Sequence, residues 1–272
     1  MMTELTILFS ALGVMLLIAG ATWLLSLVLR DVSIVDSVWS LFFLAATIVF
    51  IQLSAESGTR AELVLVLVGI WSIRLAAYLT WRNWGESEDR RYAAMREKHG
   101  SGFALKSLLI IFSLQAALAW IIAFPLYPAA TGPWPIGVLD YLGAALVLVG
   151  IGFETVSDLQ LARFKASDEN QGKVLDQGLW RYTRHPNYFG DFCVWWGLYL
   201  IAASAGGWWT VFSPLLMSVL LLKVSGVALL EKDISERRPT YADYVSRTNA
   251  FFPGPPQPTA VDTKHTTREV TQ

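Results

Sequence analysis

The stretch of this chain best equipped for chemistry is Gly178-Leu179-Trp180-Arg181-Tyr182-Thr183-Arg184-His185-Pro186-Asn187-Tyr188-Phe189-Gly190-Asp191. Pro186 suits the first turn of a helix, where its missing N–H is not needed. A helix starting there presents the positive end of its dipole, and Arg181, Arg184 and His185 stand just before it. A helix N-terminus flanked by guanidinium groups attracts anions, phosphates above all. Asn187 then offers an amide that can pair with another amide, and Asp191 offers a carboxylate one turn deeper. Together they suit an elongated anionic cofactor, with its phosphates at the loop and its reactive ring further in. Lipid headgroup binding would account for the arginines, but not for Asn187 and Asp191 within an apolar segment.

The elements that must position this run are membrane helices. More than half of the 272 residues are hydrophobic and only 16% are charged, where a soluble domain carries about 25%. A hydrocarbon core needs roughly 20 apolar helical residues. Runs of that kind lie at 5–29, 34–53, 63–81, 105–127, 139–161, 186–203 and 208–230. They are continuous and too long for barrel strands, and helices satisfy their own backbone groups in lipid. The expected fold is an all-α integral membrane protein, a bundle of about seven transmembrane helices. Residues 1–253 form one domain in this reading, and the Pro- and Thr-rich stretch 254–272 is a disordered tail.

Orientation follows from the basic residues. Arg82, Arg90, Arg91, Arg96, Lys98 and Lys106 lie between the third and fourth runs, and Arg163, Lys165, Lys173, Arg181 and Arg184 between the fifth and sixth. Lys232, Arg237, Arg238 and Arg247 follow the seventh, whereas the opposite loops hold only Arg60. The positive-inside rule then puts the C-terminus and the dense loops in the cytoplasm and the N-terminus outside. The near-zero net charge of −1 gives no case for a nucleic-acid partner.

A charge at the centre of a spanning helix costs about 2.5–3.5 kcal/mol, so charges retained there are functional candidates. Arg74 sits inside the third run, with Tyr78 and Arg82 on the same helical stripe. Asp36 opens the second run beside Ser33, Ser37 and Ser40. Glu154 and Asp158 lie one turn apart toward the end of the fifth, and Lys223 and Glu231 lie two turns apart around the end of the seventh. The alternative is a set of structural ion pairs, such as Arg74 with Asp36 or Lys223 with Glu154. Crowding of the set toward the basic loops points instead to a water-filled cavity open to the cytoplasm.

These residues resemble the membrane reductase superfamily of steroid 5-alpha-reductases and sterol C14-reductases, and within it the bacterial DUF1295 family. Besides the run 178–191, the resemblance rests on Trp71-x-x-Arg74-x-x-x-Tyr78-x-x-x-Arg82, on Glu88-Asp89-x-Arg91-Tyr92, and on Glu154-x-x-x-Asp158-x-Gln160 followed by Arg163-Phe164-Lys165. Leu230-Glu231-Lys232, Tyr241-x-x-Tyr244 and Phe252-Pro253 complete it. It implies a seven-helix bundle with NADPH held by the C-terminal spans and loops. Carried over by position, Asn187 and Asp191 meet the nicotinamide end. Asp158, Arg163, Tyr182, Arg184, His185 and Tyr244 surround the phosphates, ribose and adenine, and Trp180, Tyr188, Glu231 and Tyr241 join the cofactor set. Asp191 stands where the family usually has Glu, so its reach is shorter.

NADPH supplies hydride chemistry, and the protein supplies orientation and electrostatics. Reduction of an activated C=C bond builds negative charge on a conjugated oxygen, which a donor must meet in a dry site. Arg74 and Tyr78 are the candidate donors and Asp36 the proton relay. The substrate expected is a lipid entering from the bilayer, with no obligate protein partner, in a bacterial inner membrane with the cofactor side facing the cytoplasm. Trp71 occupies what resembles the position of a steroid-gripping Tyr, so an unsaturated lipid other than a steroid is equally expected. Two rivals remain. Arg184-His185-Pro186-x-Tyr188-x-Gly190 also resembles the S-adenosylmethionine element of isoprenylcysteine and phospholipid methyltransferases. A lipid-binding or transport protein is the other, although no internal repeat is evident. His99, His185 and His265 lack metal-ligand spacing, Cys193 reads as a small buried hydrophobe, and Gly100-Ser101-Gly102 and Gly150-Ile151-Gly152 lack the third glycine of a dinucleotide fingerprint.

Overall fold

A computed structural model describes residues 3–54, 58–224 and 241–257, which are helical with connecting turns and contain no strand. Helix α1 spans Glu4–Leu29, capped by the Thr3 side chain accepting from the Thr6 N–H. It ends on Arg30 in the left-handed region, at φ 55°. Helices α2 (Ile34–Leu53) and α3 (Thr59–Asn83) follow. Asp89 caps the amphipathic α4, Arg90–His99, by accepting from the Arg91 N–H. The chain continues through a 3₁₀ turn, the short α5 (Phe103–Ser107), a π-helical stretch Leu108–Ser113 and α6 (Leu114–Ile122). Helix α7 is Leu126–Thr131, α8 is Val138–Lys165 and α9 is Pro186–Ser204. Helix α10 (Phe212–Val219) runs on as a π-helix over Leu220–Val224, and α11 is the short Tyr241–Arg247.

Among the described residues, five helical stretches are long and apolar enough to cross a bilayer: Glu4–Leu29, Ile34–Leu53, Thr59–Asn83, Arg90–Ile122 and Val138–Lys165. In α1 the side chains of Leu17 and Val28 are 75% and 79% exposed. A helix that leaves large apolar groups outside the protein needs lipid as its solvent. The first, second, third and fifth expected spans coincide with these helices. The fourth differs at its end. Its helix stops at Ile122, short of the expected 127, because Pro125 cannot donate to a helical ladder. The sixth expected span is a helix of 19 residues, but Asn187, Asp191, Trp195, Trp196 and Tyr199 keep it less apolar than the five. The seventh is represented by Trp208–Val224, and its remainder to 230 lies outside the described residues. Residues 254–257, assigned to the tail on composition, are hydrogen-bonded: Gly254 N–H donates to Tyr182 O and Gln257 N–H to Arg247 O. The rest of the tail, 258–272, is outside the described residues.

Two compact units are distinguished. The first comprises Met1–Ala145 and Gly197–Ser213, the second Leu146–Trp196 and Pro214–Gln272. In the first, α2 packs on α1 and α3, and α6 lies against α1 and α2. Its core holds Met15, Phe42, Phe43, Phe50, Trp71, Phe112 and Leu126. Trp120 Nε1 donates to Leu8 O at 2.8 Å and Trp23 Nε1 to Ala104 O at 2.8 Å, tying α1 to later helices.

The second unit is organised by close approach of α8 and α9. A Cβ on Gly190 would lie 2.6 Å from Gly150 O and 2.7 Å from Glu154 Cγ, and one on Gly150 would lie 2.5 Å from Gly190 O. Only glycine permits backbones to meet this closely, as small residues do at membrane helix contacts. Phe189, Phe192, Phe251 and Phe252 form an aromatic cluster, with Phe251 and Phe252 rings edge-on to those of Phe189 and Phe192.

Candidate functional site

The expected site residues divide between the two units. Arg74, Tyr78 and Asp36 belong to the first. The described members of the cofactor set, Asp158, Arg163, Trp180, Tyr182, Arg184, His185, Asn187, Tyr188, Asp191, Tyr241 and Tyr244, all belong to the second. Glu231 lies outside the described residues, as do Lys232, Arg237 and Arg238.

In the first unit, Asp36 is the centre of a polar network. Its Oδ1 accepts from the Tyr92 hydroxyl at 2.8 Å, and its Oδ2 accepts from Arg91 Nη2 at 3.0 Å. Gln115 Nε2 donates to the Tyr92 oxygen at 3.1 Å and lies 3.5 Å from Asp36 Oδ1. Tyr92 is buried although it belongs to the charged helix α4. Its ring enters the unit because its hydroxyl finds a carboxylate there, while its helix neighbours stay exposed. Arg91 also binds Asp89, so a chain of charged groups runs from the surface to Tyr92. Arg74 and Tyr78 are half-buried on α3, and the Arg82 Cζ stands 5.8 Å from the Tyr78 ring centroid. That contact realises the Tyr78–Arg82 stripe read from the sequence.

Around this network the turns are pinned. Glu88 accepts from Arg96 at 2.7 and 2.8 Å and from Val32 N–H at 2.9 Å, and Ser33 Oγ accepts from Asp89 N–H at 2.7 Å. Burial alone would raise the Glu88 carboxyl, but these charge-assisted and backbone hydrogen bonds outweigh it and hold the group below its ordinary range. Asp89 is held low in the same way, its burial outweighed by Arg91 and the Arg91 N–H.

The same unit contains a second cluster built on Arg60, which is 3% exposed. Its Nε donates to Asp140 Oδ1 at 2.7 Å and its Nη2 to Asp140 Oδ2 at 3.2 Å. The remaining donors reach the carbonyls of Gly132, Trp134 and Pro135. Asp140 accepts further from Gly137 N–H and Ser204 Oγ. The guanidinium is saturated, so the cavity of about 390 Å³ beside it, lined by Thr59, Ala61, Pro133 and Trp134, has no charge to offer an anion.

In the second unit, the run 178–191 is a fixed turn leading into α9. Gly178, at φ +60°, lies against the Gln160 side chain, which a Cβ there would overlap. Gln160 Oε1 accepts from Leu179 N–H at 3.0 Å, and Trp180 Nε1 donates to Ser157 O at 3.1 Å. The turn is thus bound to the end of α8. Its other side is bound to the segment 241–257. The Tyr244 hydroxyl donates to Trp180 O, Thr183 Oγ1 donates to Phe251 O at 2.7 Å, and Arg184 N–H donates to Asn249 O at 2.9 Å.

Two of the expected cofactor residues have partners within the chain. Arg184 Nη1 donates to Thr248 O at 2.7 Å and to Val245 O at 3.3 Å, so part of its guanidinium holds carbonyls of the chain. Tyr244 uses its hydroxyl on Trp180, and burial first, with Tyr241 nearby, pushes that hydroxyl above its ordinary range. His185 is buried, its ring stacked on Tyr188 at 5.8 Å. Asn187 Oδ1 accepts from Tyr188 N–H at 3.0 Å. Glu154, Asp158 and Asp191 are 3%, 5% and 7% exposed, an unusual concentration of buried carboxyl groups. Tyr241 packs its ring near that of Tyr244, whereas Arg163, Arg181 and Tyr182 are exposed.

Three residues had no role assigned from the sequence. Arg91 counted only as a basic loop residue and, with Tyr92, as part of a motif, and Gln115 belonged to neither. Gln115 had a usable signal, a lone amide within the fourth apolar run.

Helices of this length and apolarity define a multi-pass, all-helical membrane protein, with buried polar clusters in both of its units. More particularly, the chain belongs to the family described as "Protein of unknown function (DUF1295)", which it matches over residues 22–248, a family commonly grouped with the steroid reductases. It is similar to "Uncharacterized protein C594.04c" of Schizosaccharomyces pombe (strain 972 / ATCC 24843), at 26% identity across 267 residues, covering 87% of this chain and 77% of the yeast protein. No solved structure matches it. A relative in yeast extends the likeness beyond bacteria, so membership by itself does not assign the chain to a bacterial membrane.

Proposed function

We propose that this protein is a membrane-embedded, NADPH-dependent reductase of a carbon–carbon double bond in a lipidic substrate. The observation that carries the reading is the fixed turn 178–191 with Asn187, Asp191, Asp158 and Glu154 gathered in the second unit. The donor set suits a dinucleotide. Exposed Arg163 and Arg181 offer cations to phosphates. Asn187 carries amide donors of the kind a carboxamide oxygen accepts, and buried carboxylates suit ribose hydroxyls and an amide N–H better than a phosphate. When bound, NADPH supplies the hydride.

The chain's own residues do the remainder. Arg74 and Tyr78 stabilise the charge that develops on the substrate's conjugated oxygen. Asp36, joined through Arg91 to the surface, returns the proton. Apolar helix surfaces admit the substrate from the bilayer. In the full arrangement seven helices cross the membrane, with the N-terminus outside and the cofactor side and C-terminus in the cytoplasm, as the basic loops require.

The test is a titration of the purified protein with NADPH and with S-adenosylmethionine, followed by thermal unfolding. Saturating NADPH at 100 Kd is expected to stabilise by about 2.7 kcal/mol, and alanine at Asn187 is expected to weaken that response. Stabilisation by S-adenosylmethionine alone identifies a methyltransferase. Substrate flux in liposomes, with no NADPH oxidation in the presence of lipid extracts, identifies a transporter.

A further inference from the structure

The segment 241–257 meets the turn 178–185 through Tyr244, Thr248, Asn249, Phe251 and Gly254, and most of its links are of one kind. Tyr244 to Trp180, Gly254 to Tyr182, Phe251 to Thr183, and Thr248 and Asn249 to Arg184 all end on or start from backbone groups. Such bonds follow wherever the backbone goes and give the segment one seating. Thr183 is fully buried and Tyr244 and Phe251 nearly so, which keeps water from competing.

One link differs. Arg247 Nη2 donates to Asp176 Oδ2 at 2.7 Å, and the two side chains are 27% and 33% exposed. Arg247 ends α11, and Asp176 stands two residues before Gly178. The pair therefore joins the two stretches by charge, within reach of solvent. The second partner of Arg247, Asp243, lies on α11 itself at 3.1 Å and ties nothing to the turn. Gln257 N–H donates to Arg247 O, so the far end of the segment returns to this same residue.

We propose that 241–257 is a clasp that sets the position of the turn before α9, and that Asp176–Arg247 is its salt-sensitive latch. With the latch closed, the turn holds His185 and the start of α9 in one place. With it open, the clasp loosens at its solvent edge while the buried links keep it attached. Coupling of the clasp to nucleotide binding rests on the proposed function; the latch itself does not.

Hydrogen–deuterium exchange of the full chain in nanodiscs tests the latch. A partly exposed ion pair is worth little, so exchange in 178–185 and 241–257 is expected to quicken by roughly two- to fivefold in Asp176→Asn. Asp176→Glu, which keeps the charge, is expected to stay near the unmodified protein, and so is Asp243→Asn. High salt is expected to quicken exchange in the unmodified protein and to add nothing in Asp176→Asn. Salt-independent exchange in the unmodified protein overturns the latch, and that arm needs no variant to fold. An equal effect of Asp243→Asn overturns it as well. NADPH is added as the last arm: slower exchange in both stretches supports the coupling. If NADPH protects neither stretch while the salt and Asp176→Asn arms hold, the nucleotide reading fails and the clasp stands.

Discussion

Replacing Gly190 by alanine tests the contact on which the second unit is built. The added methyl would lie 2.6 Å from Gly150 O, 2.7 Å from Glu154 Cγ and 2.8 Å from Glu154 N. Each is roughly 1 Å inside ordinary van der Waals separation. Two of the three atoms are backbone, so no flexible side chain can yield. Gly152, two residues from Gly150 on the same helix, is the matched control, because nothing stands within 4 Å of its Cβ position. Both changes gain the same helix propensity, up to about 1 kcal/mol. That gain cancels in the comparison and leaves overpacking, about 1–3 kcal/mol, as the difference between them. Thermal unfolding in detergent reads it, at roughly 2–4 °C per kcal/mol. Gly152→Ala is expected to match or exceed the unmodified protein, and Gly190→Ala to fall below it. Equal midpoints for the two variants would refute the close crossing, and with it the account of how Glu154 comes to lie beside α9.

Two further outcomes follow from the first unit. Asp140→Ala strands the saturated Arg60 guanidinium in a buried site and is expected to cost about 3–5 kcal/mol in thermal or denaturant unfolding; a loss below about 1 kcal/mol would show the pair to be solvated. The depressed Glu88 carboxyl contributes stability that is fully present above its ordinary value of 4.5 and is lost as pH falls through its lower folded value. Glu88→Gln is therefore expected to flatten the acid limb of a stability–pH profile, and an unchanged limb would assign it to other carboxylates.

The spans and the charge pattern were legible in the sequence because lipid imposes a one-dimensional rule. A helix must be apolar for about 20 residues, and α1, α2, α3 and α8 satisfy it on their own. The end of the fourth span was misjudged because hydropathy continues past Ile122 while Pro125 breaks the ladder. Pro186 marked the start of α9 correctly, since its geometry is local.

Residue types determined which groups were candidates; tertiary structure decided what they touch. Asp36 was conspicuous as a carboxylate in an apolar run, but its partners Arg91, Tyr92 and Gln115 lie 55, 56 and 79 positions away, and no spacing rule joins them. Arg184 read as an anion ligand because arginine beside a helix start usually is one, yet carbonyls of Val245 and Thr248 take part of its fork. Charge and apolarity act at each residue and can be read one at a time. Hydrogen-bond partners are chosen by which backbones come close, and such closeness is tertiary: Gly150 and Gly190 stood in sequence motifs for other reasons, and only the fold shows that they let α8 and α9 meet.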